Sequence, residues 1–313
     1  MGQEIINEVK PRPEWLPYEL YPFNNRYIEI DGNLIHYVDE GKGPVILFSH
    51  APVAWSFMFR DFIQELKRDF RCIALDYPGF GLSKPHMNYA PGLRNQARIL
   101  ESFMEELKLT DVYLLGHDTG GPSGFAVARK HPDWFKGLIL TDTIGFPVSE
   151  YPKISKMLGF LKSGIFQWLN TKLNFLIWAT YNFGITTRKL SSREKKCYFN
   201  VFDTPAKRKR ITDLLINLKE DEAFMIDVKS GFESVLRNHP VLLIYGEKDP
   251  VNELGIPERF QGLLNNTSLY LVSREKHFPH EGAALEMSIV IRNWIKEIQG
   301  ASKEHRESGI KQA

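Results

Sequence analysis

Cysteine is nearly absent: the 313 residues include only Cys72 and Cys197. Two cysteines build no disulfide framework. Cys72, inside the apolar run RCIAL, reads as a small core residue. Long apolar runs are missing too. The most apolar middle stretches are cut by Lys156, Lys162 and Lys172, so none reads as a membrane span. Neither sign of charge dominates. The net charge of +2 points to neither nucleic acid nor an anionic membrane as partner. The basic run KRKR (207–210) reads as a solvated helix face. The opening residues, MGQEIINEVKPRPEW, lack the apolar stretch of a signal peptide, so a cytoplasmic location is expected.

What remains is ordinary for a soluble globular protein with a substantial core: 43% hydrophobic and 25% charged residues. Short β-rich apolar runs recur: YIEI (27–30), LIHYV (34–38), VILFS (45–49), CIAL (72–75), VYLLG (112–116), LILT (138–141), VLLIYG (241–246) and SLYLV (268–272). Amphipathic stretches separate most of the later ones: 56–68, 91–108, 120–131, 253–264 and 282–299. Alternation of this kind predicts a doubly wound α/β fold with a mostly parallel sheet. The DGN segment (31–33) predicts an antiparallel hairpin at its edge. From 146 to 236 the strand pattern stops and apolar helical segments take over. The organisation expected is a core of 13–145 and 237–299, a helical insertion of 146–236, and a mobile tail of 300–313.

The segment GHDTGG (116–121) sits between the apolar run VYLL and the helical PSGFAVARKH. A strand, a sharp glycine-rich turn and a helix together present a nucleophile at the tip of the turn. The tip here is Asp118, where a serine is the common choice. Asp249, in YGEKDPV, and His277, in SREKHFPHEG, likewise stand at the ends of strands, where an open parallel sheet gathers its ligands. Each has a plainer reading. Asp118 suits a helix N-cap, Asp249 a turn before proline, and His277 a surface loop with His280 close by. The order nucleophile, acid, base favours the functional reading of all three together.

Those motifs, with HYVDEGKGPVILFSH, AWSFMFR, RCIALDYPGFGLSKP and KHFPHE, resemble the haloalkane dehalogenase and epoxide hydrolase branch of the α/β-hydrolase superfamily. The resemblance covers roughly 25–145 and 238–298. It implies an α/β-hydrolase fold: a mostly parallel eight-stranded sheet flanked by helices, with an inserted helical cap. It also implies an aspartate nucleophile. A carboxylate is ionised at neutral pH without help and suits attack on a saturated carbon bearing a leaving group. The alkyl ester so formed on Asp118 would be hydrolysed by water that His277 activates. By resemblance, the backbone N–H groups of Ala51 and Thr119 would hold the oxyanion. Asp249 is the preferred triad acid and Asp142, in LILTDTIG, the alternative.

The chain departs from the branch where a halide would be held. Thr119 stands in place of the usual tryptophan, and Pro52 in place of a donor. Trp55 is expected to line the pocket, while Trp168 or Trp178 is left as an indole donor unless both are core aromatics of the cap. Epoxide opening would need cap tyrosines as proton donors, and Tyr151, Tyr181 and Tyr198 are the candidates. His50 has no second ligand at metal spacing and reads as part of the oxyanion loop. The expected partners are a small apolar organic substrate and water, with no cofactor, metal, nucleic acid or membrane, in a monomer or homodimer. Epoxide hydrolysis is the alternative activity. A catalytically idle small-ligand binder is the alternative of another class.

Overall fold

All eight β-rich runs form strands in the computed structural model, which describes residues 12–184 and 187–310, with side chains to residue 300. They are β1 (Arg26–Ile30), β2 (Asn33–Glu40), β3 (Val45–Ser49), β4 (Arg71–Leu75), β5 (Val112–His117), β6 (Phe135–Thr141), β7 (Val241–Gly246) and β8 (Thr267–Val272). One sheet contains them in the order β1-β2-β4-β3-β5-β6-β7-β8. β2 pairs antiparallel with both of its neighbours, and every pairing from β4 to β8 is parallel. The β1–β2 hairpin closes on Asp31 and Gly32, both at positive φ (50° and 71°). A two-residue turn that matches strand twist requires this conformation. β5 and β7 are buried at every position, as strands covered on both faces must be.

Helices α1 (Arg60–Leu66), α2 (Leu93–Glu106) and α3 (Gly120–Lys130) follow β3, β4 and β5. Strand order reverses between β3 and β5, so the loops after these two strands flank the switch point. Ser49 is in register with Gly116, which sets the His50 loop beside the Asp118 turn.

Between β6 and β7 the described residues form no strand. They form α4 (Pro152–Phe160), α5 (Gly164–Leu173), α6 (Phe175–Ala179), a π-helical turn (Thr180–Gly184), α7 (Ser192–Phe199), α8 (Pro205–Glu220) and α9 (Glu222–Glu233). Polar caps punctuate this segment. Ser163 accepts the Phe166 N–H, Thr204 the Lys207 N–H, and Ser191 forms a capping box with Glu194. The KRKR run is only partly a solvated face. Arg208 donates to the carbonyls of Thr171 and Lys172 at the end of α5, and to Phe202 and Asp203. Its guanidinium caps a helix C-terminus, which the charge pattern alone did not reveal.

The helical segment is tied to the sheet by polar bonds between buried groups. The Trp55 indole donates to the Cys197 carbonyl at 3.0 Å, and the Tyr181 hydroxyl to the Val53 carbonyl at 2.9 Å. Arg60 forks onto Glu281 at 2.7 and 2.8 Å and reaches Glu194 at 3.1 Å. After β7 come α10 (Pro250–Glu253) and α11 (Ile256–Leu263); after β8 comes α12 (His280–Ile310), kinked at Ala283. α12 passes the boundary drawn at 299. Residues 1–11 and 311–313 lie outside the described residues.

Candidate active site

The turn after β5 is built for close approach. Asp118 has φ +50°, a left-handed conformation that non-glycine residues seldom adopt. Bonds fix it there: Gly121 N–H and Thr143 Oγ1–H both donate to the Asp118 carbonyl, at 3.1 and 2.6 Å. The glycines explain themselves. A Cβ on Gly120 would lie 2.2 Å from the Ser49 carbonyl oxygen, and one on Gly121 would lie 2.0 Å from Thr143 Oγ1. The N-cap of α3 is Thr119, so the Asp118 carboxylate is not consumed as a cap.

That carboxylate meets His277 instead. His277 Nε2 lies 3.1 Å from Asp118 Oδ2, and its Nδ1 lies 3.1 Å from Asp249 Oδ1. Asp249 also caps α10 through the Val251 N–H at 3.2 Å, so it is both turn residue and histidine partner. Burial alone would lower the His277 pKa. The charge and hydrogen bonds of Asp249 and Asp118 outweigh burial and hold it well above 6.5. His280 is placed elsewhere. It is buried against Phe59, Phe62 and Phe278, and burial pushes its pKa down to about 3.

Asp142 stands behind Asp249. It is fully buried at the end of β6, with φ +44°, and its Oδ1 accepts the Gly246 N–H at 2.8 Å. Burial and the neighbouring Asp249 carboxylate push its pKa well up, whereas the His277 charge holds Asp249 down despite burial. The buried Oδ2 atoms of both residues have no hydrogen-bond partner among the described residues. A neutral Asp142 that donates to an ionised Asp249 satisfies both. Asp142, Asp249 and His277 bring one ligand atom each within 4.8 Å of one another, the geometry of a metal cluster. His277 is already bonded at both nitrogens, to Asp118 and Asp249, an arrangement that suits a proton network.

The loop after β3 has its own order. His50 Nδ1 lies 2.7 Å from the Ala51 carbonyl, and its Nε2 accepts the Tyr77 N–H at 3.0 Å. This fixes a neutral imidazole protonated at Nδ1, and burial lowers its pKa accordingly. Among the described residues, the backbone N–H groups of Ala51 and Thr119 donate to no protein acceptor.

The expected side-chain donors are placed elsewhere. Trp55 is fully buried among Trp15, Tyr21 and Phe57, with its N–H committed to Cys197. Trp168 and Trp178 are 56% and 44% exposed, so neither is a core aromatic. Pro52 brings no N–H. The Thr119 hydroxyl is buried without a protein partner among the described residues. Each candidate tyrosine is engaged: Tyr151 with Arg259, Tyr181 with Val53, and Tyr198 with Glu281. Sequence reasoning passed over His117 and Glu281. His117, the residue before Asp118, packs its ring 5.2 Å from His277 and 5.1 Å from His280. The signals were present in GHDTGG and in HFPHE.

A profile of the alpha/beta hydrolase fold matches residues 44–284. The chain is also 30% identical to haloalkane dehalogenase 2 of Mycobacterium tuberculosis over 266 residues, 85% of this chain and 92% of that protein. It is a haloalkane dehalogenase-like member of the α/β-hydrolase family. A shorter match, 34% identical over 130 residues and 41% of either chain, is to a cis-3-alkyl-4-alkyloxetan-2-one decarboxylase of Shewanella oneidensis. In structure the chain is similar to the haloalkane dehalogenase DbeA of Bradyrhizobium elkani. The TM-score is 0.81 at 20% identity, covering 89% of this chain and 99% of that one, a likeness of fold.

Proposed function

We propose that the chain is a hydrolase in which Asp118 displaces a leaving group from a saturated carbon of a small apolar substrate. The observation that carries this is His277, bonded to Asp118 on one nitrogen and to Asp249 on the other. The displacement leaves an alkyl ester on Asp118. His277, steered by Asp249, then deprotonates a water that attacks the ester carbonyl. The oxyanion is taken by the N–H groups of Ala51 and Thr119, whose lack of acceptors among the described residues supports that role. Residues 13–145 and 237–299 form the catalytic core, with 146–236 as a cap over the site.

Haloalkane dehalogenation is the first reading, on the family likeness. A ring-opening reading is favoured by one observation: the Trp55 indole N–H is committed to the Cys197 carbonyl, while the Thr119 hydroxyl, next to Asp118 in the chain, has no protein partner among the described residues. A strained oxygen ring carries its own tethered leaving oxygen and needs no halide cradle. An oxetan-2-one fits this better than an epoxide, since the three tyrosines are engaged elsewhere.

The test is the His277→Phe variant, in which the ester should accumulate. After incubation with haloalkanes, epoxides and oxetan-2-ones, its intact mass is recorded. A gain of substrate less hydrogen halide identifies dehalogenation, and a gain of the whole substrate identifies ring opening. No adduct from any class, with the variant folded, would overturn Asp118 as nucleophile.

A further inference from the structure

The segment from α4 to the π-helical turn exposes what a helical cap should bury. Met157 and Phe160 are exposed on α4; Ile165, Trp168 and Leu173 on α5; Trp178 and Phe183 beyond them. Ile165 is 75% exposed and Phe183 66%. A chain of aromatic rings runs beneath these exposed groups, with Phe166 buried and Phe175 half-buried between the exposed ends. Ring centroids step from Phe160 to Phe166 (5.6 Å), to Phe175 (6.1 Å), to Trp178 (5.9 Å) and to Phe183 (5.3 Å). An exposed apolar patch of this kind marks an interaction site.

Its charge is of one sign. Residues 151–184 contain four lysines, at 153, 156, 162 and 172, and no aspartate or glutamate. All four lysines are exposed, and Lys162 also pairs with Glu220. The lysines lie among the apolar groups. Lys153, Lys156, Met157 and Phe160 follow i, i+3, i+4, i+7 on α4, and Ile165, Trp168 and Lys172 follow i, i+3, i+7 on α5.

We propose that this face docks the protein on an anionic lipid bilayer. Lysine stems lie along apolar surface while their ammonium groups reach anionic headgroups, and tryptophan favours the same boundary. The binding is in-plane, because no described helix is long and apolar enough to cross a membrane. A two-fold contact with a second copy fits less well: it would gather the lysines of both copies with no acid from this stretch to offset them. The net charge of +2, which argued against a membrane partner, averages over acids placed elsewhere and hides this local excess. The docked face also adjoins the site. Tyr181, two residues before Phe183, packs 6.1 Å from Phe278, the neighbour of His277. An apolar substrate dissolved in the bilayer would therefore meet the protein beside its site.

The full chain is sedimented with vesicles of phosphatidylcholine alone and of phosphatidylcholine with phosphatidylglycerol. The expected result is binding to the mixed vesicles only, weakened by salt. Lys153→Glu combined with Lys172→Glu should weaken it by about tenfold or more, and Trp168→Asp should abolish it. Both sets of substitutions lie on the surface, so melting temperatures should stay close to the parent's. No binding to the mixed vesicles, or equal binding to both kinds, would overturn the proposal. So would a stable dimer that Trp168→Asp dissociates, which would assign the face to a second copy.

Discussion

The Nε2 atom of His277 lies 3.1 Å from Oδ2 of Asp118. In the free protein that carboxylate helps to hold the histidine pKa well above 6.5. In the proposed reaction Asp118 comes to carry an alkyl group; its charge is then gone, and this support disappears. The histidine becomes a free base at the step that needs one. Asp118→Asn imitates the loss of charge. An imidazole NMR titration should then find the His277 pKa lower than in the parent. A raised folded-state pKa stabilises the fold fully below the unfolded value near 6.5, and the contribution is lost as pH rises through the folded value. The variant should therefore lose less stability than the parent on going alkaline. An unchanged His277 pKa would remove Asp118 from this role.

Asp142 and Asp249 are to be separated by their substitutions. If Asp142 is neutral and donates to Asp249, Asp142→Asn keeps a donor in place and should retain turnover within about threefold. Asp142→Ala leaves Asp249 short of a bond and should cost one to two decades, roughly what an unsatisfied buried acceptor implies. Asp249→Asn should cost more, on the order of 10³–10⁴-fold, because His277 loses its orienting carboxylate. An infrared spectrum checks the protonation without any substrate: the parent should show a carboxylic C=O band that Asp142→Asn removes. If Asp142→Asn proved as damaging as Asp249→Asn, the assignment of acid and donor would be wrong.

Two glycines give opposite predictions for one substitution. Gly120→Ala places a methyl 2.2 Å from the Ser49 carbonyl oxygen, against backbone that cannot step aside. It should cost about 3 kcal/mol or more, or prevent folding. Gly262, inside α11, has nothing within 4 Å of an added Cβ. Gly262→Ala should be stabilising by about 0.5–1 kcal/mol. Thermal melts of both variants test whether the Asp118 turn is constrained by contact rather than by composition.

The fold was legible where pattern and packing agree. VILFS and VLLIYG became β3 and β7 without a change of boundary, because a strand buried on both faces is a continuous apolar run with abrupt ends. The Asp118 turn was legible because its glycines are demanded by close approach to Ser49 and Thr143. The helical segment was less so. Periodicity shows which residues share a helix face and not which face meets the core, so Trp168 and Trp178 were read inward and lie exposed. The pairing of Asp142 with Asp249 was hidden for another reason. The two residues are far apart in the chain and meet only because β6 and β7 are neighbours in the sheet.

The buried Arg60–Glu281 pair predicts an acid limit to stability. Arg60 comes from α1 and Glu281 from the start of α12, and both are almost completely buried. Burial alone would raise the Glu281 pKa, but the Arg60 charge and hydrogen bonds outweigh it and hold the value at about 2. A depressed carboxylate pKa gives stability that is full above the unfolded value, near 4.5, and is lost as pH falls through the folded value. The span corresponds to an effect on the order of 3 kcal/mol. Glu281→Gln removes the charge but keeps the shape, so it leaves the buried Arg60 guanidinium with only Glu194 and the half-exposed Asp61 as charged partners. Stability measured by urea titration at neutral pH should fall by about 3 kcal/mol. The variant should also lose less stability than the parent between pH 4.5 and pH 2, because one of the carboxylates that titrate there is gone. Parallel pH profiles for parent and variant would instead show that Glu281 is not the carboxylate whose protonation unlocks α12.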